Sequence, residues 1–114
     1  KPLMKTLNIN GLFCKPIIHN LKTQILIQGK PDYTSGDILQ LSFDKETVKN
    51  YYLYIKSIRK TTINSLSSKD IDKLAFLYDE HLHRYVRIKH PSLSFNTELY
   101  KVEFVCFKEE ETLQ

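Results

Sequence analysis

The chain has 114 residues, 41% hydrophobic and 26% charged. That is enough apolar material for one domain with one packed core, and too much for a disordered chain. No apolar run approaches the roughly 20 residues of a membrane-spanning helix, so no membrane association is expected. Net charge is +4; with Glu109, Glu110 and Glu111 of the tail set aside, ten acidic residues face 17 basic ones, a body charge of +7. Such a body suits a polyanionic partner, although lysine-rich surfaces also serve solubility alone.

The N-terminal stretch "KPLMKTLNING" has a charge at Lys5 and no long apolar run, so it does not read as a secretory leader, and Met4 is a candidate start. "LMKTLNI" reads as a first strand. "GLFCKPIIHN" reads as a short helix with Phe13, Ile17 and Ile18 on one side and Pro16 tolerable only in its first turn. Asn20 is a suitable left-handed terminator. A second strand follows over Thr23 to Gln28, and a turn runs through Gly29, Lys30, Pro31 and Asp32.

In "DILQLSF", Leu39, Leu41 and Phe43 alternate with Ile38, Gln40 and Ser42, the period of a strand. "DKET" reads as a turn. "VKNYYLYIKSIRKTTI" reads as a long strand with Leu53 and Ile55 on one face and Tyr52, Tyr54, Lys56 and Ile58 on the other. An aromatic and basic face suits stacking on bases; the same pattern suits a tyrosine-rich strand packed under a helix.

Ser67, three residues before Asp70, opens a helix in the manner of a capping box. A further helix is expected over Asp79 to Lys89, with Leu82 and Val86 inward, His83 and Arg87 on another face, and Pro91 ending it. In "ELYKVEFVCF", Tyr100, Val102, Phe104 and Cys106 alternate with Leu99, Lys101, Glu103, Val105 and Phe107. The order is strand, helix, three strands, two helices, strand. It predicts a mostly antiparallel, closed or nearly closed small barrel with helices at one end.

Candidate chemistry is sparse. Cys14 and Cys106 read as two reduced, buried thiols of a cytoplasmic protein, and with no CxxC they do not make a zinc site. In "DEHLHRY", Asp79 and His83 are spaced four apart like helical metal ligands, but His81 points elsewhere and no third ligand is evident. No metal and no cofactor is expected. With only three glycines there is no glycine-rich phosphate loop, and no nucleophile elbow occurs. The basic residues group better: Lys56, Arg59 and Lys60 end the long strand, while Arg84, Arg87, Lys89 and His90 cluster on and after the last helix. A groove between these groups would suit a phosphate backbone; the same residues also suit a solvated helix face.

"LFCKPIIHNLKT", "KPDYTSGDILQL", "TTINSLSSKDIDKLAF", a helix ending "KHP" and "LYKVEFVCF", in that order and spacing, resemble an ASCH domain. This is the small PUA-like barrel family that includes bacterial N4-acetylcytidine amidohydrolase and short archaeal proteins. The resemblance runs from about Leu7 to Phe107. It implies an α+β, mainly β fold: a mixed or antiparallel barrel of about five strands with two or three short helices. The division is a single domain over residues 1–114, with a core of about 5–107 and an acidic tail of 108–114. The resemblance also implies a cleft between barrel and helical insert where a nucleoside or RNA base would sit.

Lys22 matches the family's lysine, Thr23 the residue after it, and Gly36 and Asp37 its "GD"; Asn20 stands where a glycine is usual. The family's strand Thr or Glu and its Arg fall on Ile25 and Ile27, or on Gln24 and Leu26 in the other register. The acidic residue of the insert falls on Leu74, with Asp70 and Asp72 nearby. A carboxylate that relays protons is not replaced by leucine, nor an anion-gripping arginine by isoleucine.

The leading expectation is therefore a nucleic-acid-binding module with a degenerate catalytic cleft, RNA or another single strand favoured. Its contacts would be Lys22, Thr23, Tyr52, Tyr54, Lys56, Arg59, Lys60, Arg84 and Arg87. The alternatives are a small hydrolase, an amidohydrolase or a ribonuclease using Lys22, and a non-catalytic protein–protein adaptor. The chain is expected to be a monomer or weak dimer in the cytoplasm.

Overall fold

A computed structural model describes residues 4–109; Glu110 and Glu111 of the acidic tail lie outside them. Five strands form one curled mixed sheet, a half-barrel, with three short helices. The strands are β1 (Thr6–Ile9), β2 (Gln24–Ile27), β3 (Ile38–Phe43), β4 (Glu46–Thr61) and β5 (Leu99–Lys108). The helices are α1 (Cys14–Ile18), α2 (Ser68–Lys73) and α3 (Asp79–Lys89). The sheet order is β1-β3-β4-β5-β2. Only β1 and β3 run parallel; the other pairs are antiparallel. Among the described residues no ladder joins β1 to β2, so the expected barrel stays open along a seam between these two edge strands.

Alternation decides which residues fill the curl. Leu7, Ile9, Ile25, Leu39, Leu41, Phe43, Leu53, Ile55, Val102, Phe104 and Cys106 form the main core together with Ile17 of α1. Fully burying each such aliphatic side chain stabilises by about 1.5–3 kcal/mol. The β3–β4 hairpin closes through Asp44 and Lys45, both with positive φ (49° and 69°), the backbone that a two-residue turn matching sheet twist requires. The expected "DKET" turn is therefore shorter: Glu46 and Thr47 already belong to β4. Asp44 also accepts the Gly11 N–H at 2.9 Å. A Cβ at Gly11 would come 2.2 Å from that carboxylate, so glycine is what allows the close approach.

The long strand departs from simple alternation. A bulge lies between Ile55 and Ser57, and an extra residue reverses the faces beyond it. Tyr52, Tyr54 and Lys56 point outward as expected. Ile58, expected beside them, packs against the main core instead.

A second core lies on the other side of the sheet, at the β2 end. Ile63, Ile71 and Leu74 join Leu82 and Val86 of α3 and Leu99 of β5, with half-buried Leu26, Phe76 and Tyr85 against them. Leu26 and Ile25 are adjacent on β2, so they face opposite sides. Consequently α2 and α3 cover the face that α1 does not.

The caps follow the sequence closely. Ser67 and Asp70 form the expected capping box, with Asp70 N–H to Ser67 Oγ at 3.2 Å and Ser67 N–H to Asp70 Oδ2 at 3.0 Å. Asn20 takes φ 56°, the left-handed terminator of α1. Cys14 and Cys106 are free thiols, half-buried and buried respectively. Burial, and then the neighbouring Cys14, pushes the Cys106 thiol up to about 11.

Candidate functional site

The open seam holds a cavity of about 270 Å3. Its walls come from the end of β1 (Asn8, Ile9, Asn10), from β2 and Gln28, and from the helical side through Leu74, Phe76, Leu82, Tyr85 and Val86. Phe13, Lys22, Ile63, His90 and Leu93 complete it. Phe13, Phe76 and Tyr85 contact one another, with centroid distances of 6.3, 5.8 and 5.5 Å and mostly edge-on orientations. Three rings around one small space make a wall with polarisable faces and edges for a planar apolar guest.

Lys22 is the charged group of this wall and is only 4% exposed. Its ammonium donates to the Leu74 carbonyl at 2.8 Å and sits 4.4 Å from the Phe13 centroid and 6.0 Å from that of Phe76. Burial lowers the amine to about 7. The carbonyl and the two rings act in the opposite direction, because both favour the charged form; burial outweighs them.

The next residue makes a second link to the same helix: Thr23 N–H donates to Lys73 O at 2.8 Å. Helix C-termini leave carbonyls without partners, and α2 ends abruptly as Ala75 turns to φ 69°. Lys22 and Thr23 take up two of those carbonyls. The Lys-Thr pair thus docks the helical insert onto β2 and at the same time lines the cavity.

A polar cluster sits beside this junction. Asp70 accepts from Lys101 Nζ at 2.9 Å and from Gln24 Nε2 at 3.2 Å. Burial alone would raise its carboxyl; hydrogen bonds from Lys101, Ser67 and Gln24 outweigh that and hold it well below the usual carboxylate range. Gln24 is fully buried, and its Oε1 has no partner among the described residues.

The expected nucleic-acid contacts do not converge on one place. Lys22 lines the cavity and Thr23 adjoins it. Tyr52 and Tyr54 lie on the outer face of β4, where no helix covers them: Tyr54 is 44% exposed and Tyr52 stacks on Phe107 at 5.7 Å. Lys56 and Arg59 are exposed along β4. Lys60 pairs loosely with Glu98 at 3.7 Å, both exposed. Arg84 and Arg87 border a shallow depression on α3 with Glu80, His83 and Ile88. Lys56, Arg59 and Lys60 do not line that depression, so it is not the groove expected between the two basic groups. Arg87 and His83 both lie against Phe95, at 5.4 and 4.8 Å.

Sequence reasoning missed Phe13, Phe76 and Tyr85 as a set, and the Gln24–Asp70–Lys101 cluster. Tyr85 was within reach, because it adjoins Val86 and lies three after Leu82 on the inward side of α3. The cluster was not, because its members are 46 and 31 residues apart.

No family model matches the chain, and no curated protein matches it. Solved structures do. A protein of the DUF984 family from Enterococcus faecalis V583 superposes with a TM-score of 0.66 at 12% identity, over 100% of this chain and 87% of that one. An ASCH domain from Lactobacillus crispatus gives 0.61 at 14%, over 84% and 70%. The ASCH protein from Zymomonas mobilis gives 0.55 at 17%, over 86% and 63%, so the match spans less than two thirds of that protein. At these identities the likeness is one of fold, and the chain has the ASCH-domain fold.

Proposed function

We propose that this ASCH-fold chain is a nucleic-acid-binding module that takes one unpaired base, of RNA by preference, into the seam cavity. The observation that carries the reading is the cavity itself: three aromatic side chains and one buried lysine around about 270 Å3. Drug-sized ligands use roughly 300–1,000 Å3, so this space suits a single planar group. Base–aromatic stacking contributes about 1–3 kcal/mol per base and tolerates different bases. The basic body would add phosphate contacts, with Lys56, Arg59, Arg84 and Arg87 as exposed candidates.

The test is binding of a labelled short single-stranded RNA between about 50 and 200 mM salt, with Tyr85→Ala and Leu93→Trp as cavity variants. The expected result is binding at low salt that weakens as salt rises. Tyr85→Ala should lose about 1–3 kcal/mol and Leu93→Trp, which fills the space, should lose more. Absence of binding at low salt, or equal binding by the filled variant, refutes the reading.

A hydrolase reading has one observation in its favour. An amine brought to about 7 is poised for general-base work near neutral pH. Against it, the only hydrogen-bond partner of Lys22 Nζ among the described residues is a backbone carbonyl, and Leu74 holds the place expected for the acid. Incubation with N4-acetylcytidine decides: turnover lost in Lys22→Met would establish the hydrolase, and no turnover leaves the binding module.

A further inference from the structure

Ile25, Leu26, Ile27 and Gln28 are consecutive, and all four line the seam cavity. Successive side chains of a strand point to opposite faces. One cavity touched by four in a row therefore lies off the strand's edge, not over one face. Among the described residues β2 is an edge strand whose only partner is β5.

The direction of its main-chain groups follows from the flanking bonds. Phe104 N–H donates to the Thr23 carbonyl at 3.0 Å. The Asn20 side-chain amide occupies both main-chain groups of Cys106, each at 3.0 Å. Alternate residues of β5, including Phe104 and Cys106, thus aim toward the β2 side. Their register partners Ile25, opposite Val102, and Ile27, opposite Tyr100, aim back. Leu26 points its N–H and C=O the other way, off the free edge and toward the cavity. Outside the β2–β5 pairing, no hydrogen bond between described residues engages either group.

We infer that the main chain of Leu26 reads the guest, and that the guest is a base with its pairing edge free. Side by side, the N–H and C=O offer one donor and one acceptor. Every unpaired base presents an acceptor beside a donor on its pairing edge, whereas a paired base has both occupied. The rings of Phe13, Phe76 and Tyr85 supply contact with the flat surface, and the edge strand supplies the hydrogen bonds. The site thereby selects single-stranded over duplex nucleic acid with no side chain dedicated to the choice. This rests on the proposed base-binding reading.

Two series test it. On the ligand side, adenosine and cytidine are compared with 1-deazaadenosine and 3-deazacytidine, which lack the ring acceptor, and with their dimethylamino counterparts, which lack the donor. Binding to the intact chain is followed by NMR titration. Each analogue is expected to bind about ten-fold or more weakly than its parent. On the protein side, Leu26→Pro deletes an N–H that faces away from β5, the side on which an edge strand tolerates proline, and Leu26→Ala keeps it. The deaza penalty should vanish in Leu26→Pro and persist in Leu26→Ala. Should Leu26→Pro fail to fold, the ligand series on the unaltered chain still decides. Parents and analogues binding alike would overturn the edge reading while leaving base binding intact. Failure of both the nucleosides and the single-stranded RNA would instead remove the base-binding reading, and this inference with it.

Discussion

At the scale of the residue, Lys22 and Asp70 carry the testable chemistry. In the folded chain Lys22 loses its proton at about 7, whereas the free side chain does so at 10.5. Between those values the unfolded chain binds more protons, so stability should rise with pH across this window, by roughly 1 kcal/mol per pH unit from this group. Lys22→Met, which keeps a long apolar stem among the rings, should flatten that rise; parallel urea-denaturation profiles for the two proteins between pH 7 and 10 would contradict it. Asp70 acts with the same sign, in acid rather than above neutrality. Its carboxyl is held below the ordinary value of 3.8, so its contribution is present above about pH 4 and fades as pH falls below that. Asp70→Ala should cost about 2–4 kcal/mol at neutral pH, and the gap to the parent should shrink in acid. Equal midpoints at pH 7 would show that the cluster is not structural. Lys22 was legible in the sequence because "LKT" stands at a strand entrance. Its burial was not, since that depends on Leu74, 52 residues away.

At the scale of the element, Asn20 shows how a local reading can be right and incomplete. Its left-handed φ of 56° was legible, since asparagine after a helix commonly adopts it. Its side chain, however, also extends the β5 ladder at Cys106, 86 residues on. Glycine would satisfy the backbone and lose both hydrogen bonds. Asn20→Gly should therefore lower stability by about 1–3 kcal/mol, measured by thermal unfolding; an unchanged midpoint would mean that only the backbone angle matters. The strand cores were legible from alternation alone, as Leu39, Leu41 and Phe43 demonstrate. The bulge that carries Ile58 inward was not, because no glycine or proline between Ile55 and Ser57 announces it. The capping box at Ser67 was legible for the opposite reason: its chemistry lies within three residues.

At the scale of the whole molecule, a half-barrel has two free edges, and here they face a cavity. The order of motifs made the fold legible, but not the seam, which is a statement about which strands do not pair. The outer face is distinct from the cavity. Ile38, Tyr54 and Val105 lie in one row across β3, β4 and β5, 39–46% exposed, and the basic residues are spread over β4 and α3. Phosphate contacts at that surface would make affinity fall steeply with salt. Lys56→Ala combined with Arg59→Ala should weaken RNA binding at low salt and reduce the salt slope, and an unchanged slope would place the phosphates elsewhere. Entry of a base into the seam is tested by an amide chemical-shift titration of the labelled chain with a short single-stranded RNA. The largest shifts are expected at Lys22, Leu26, Phe76 and Tyr85, around the cavity. Shifts confined to Tyr52, Tyr54 and Lys56 on the outer face, or no shifts at all, would contradict it.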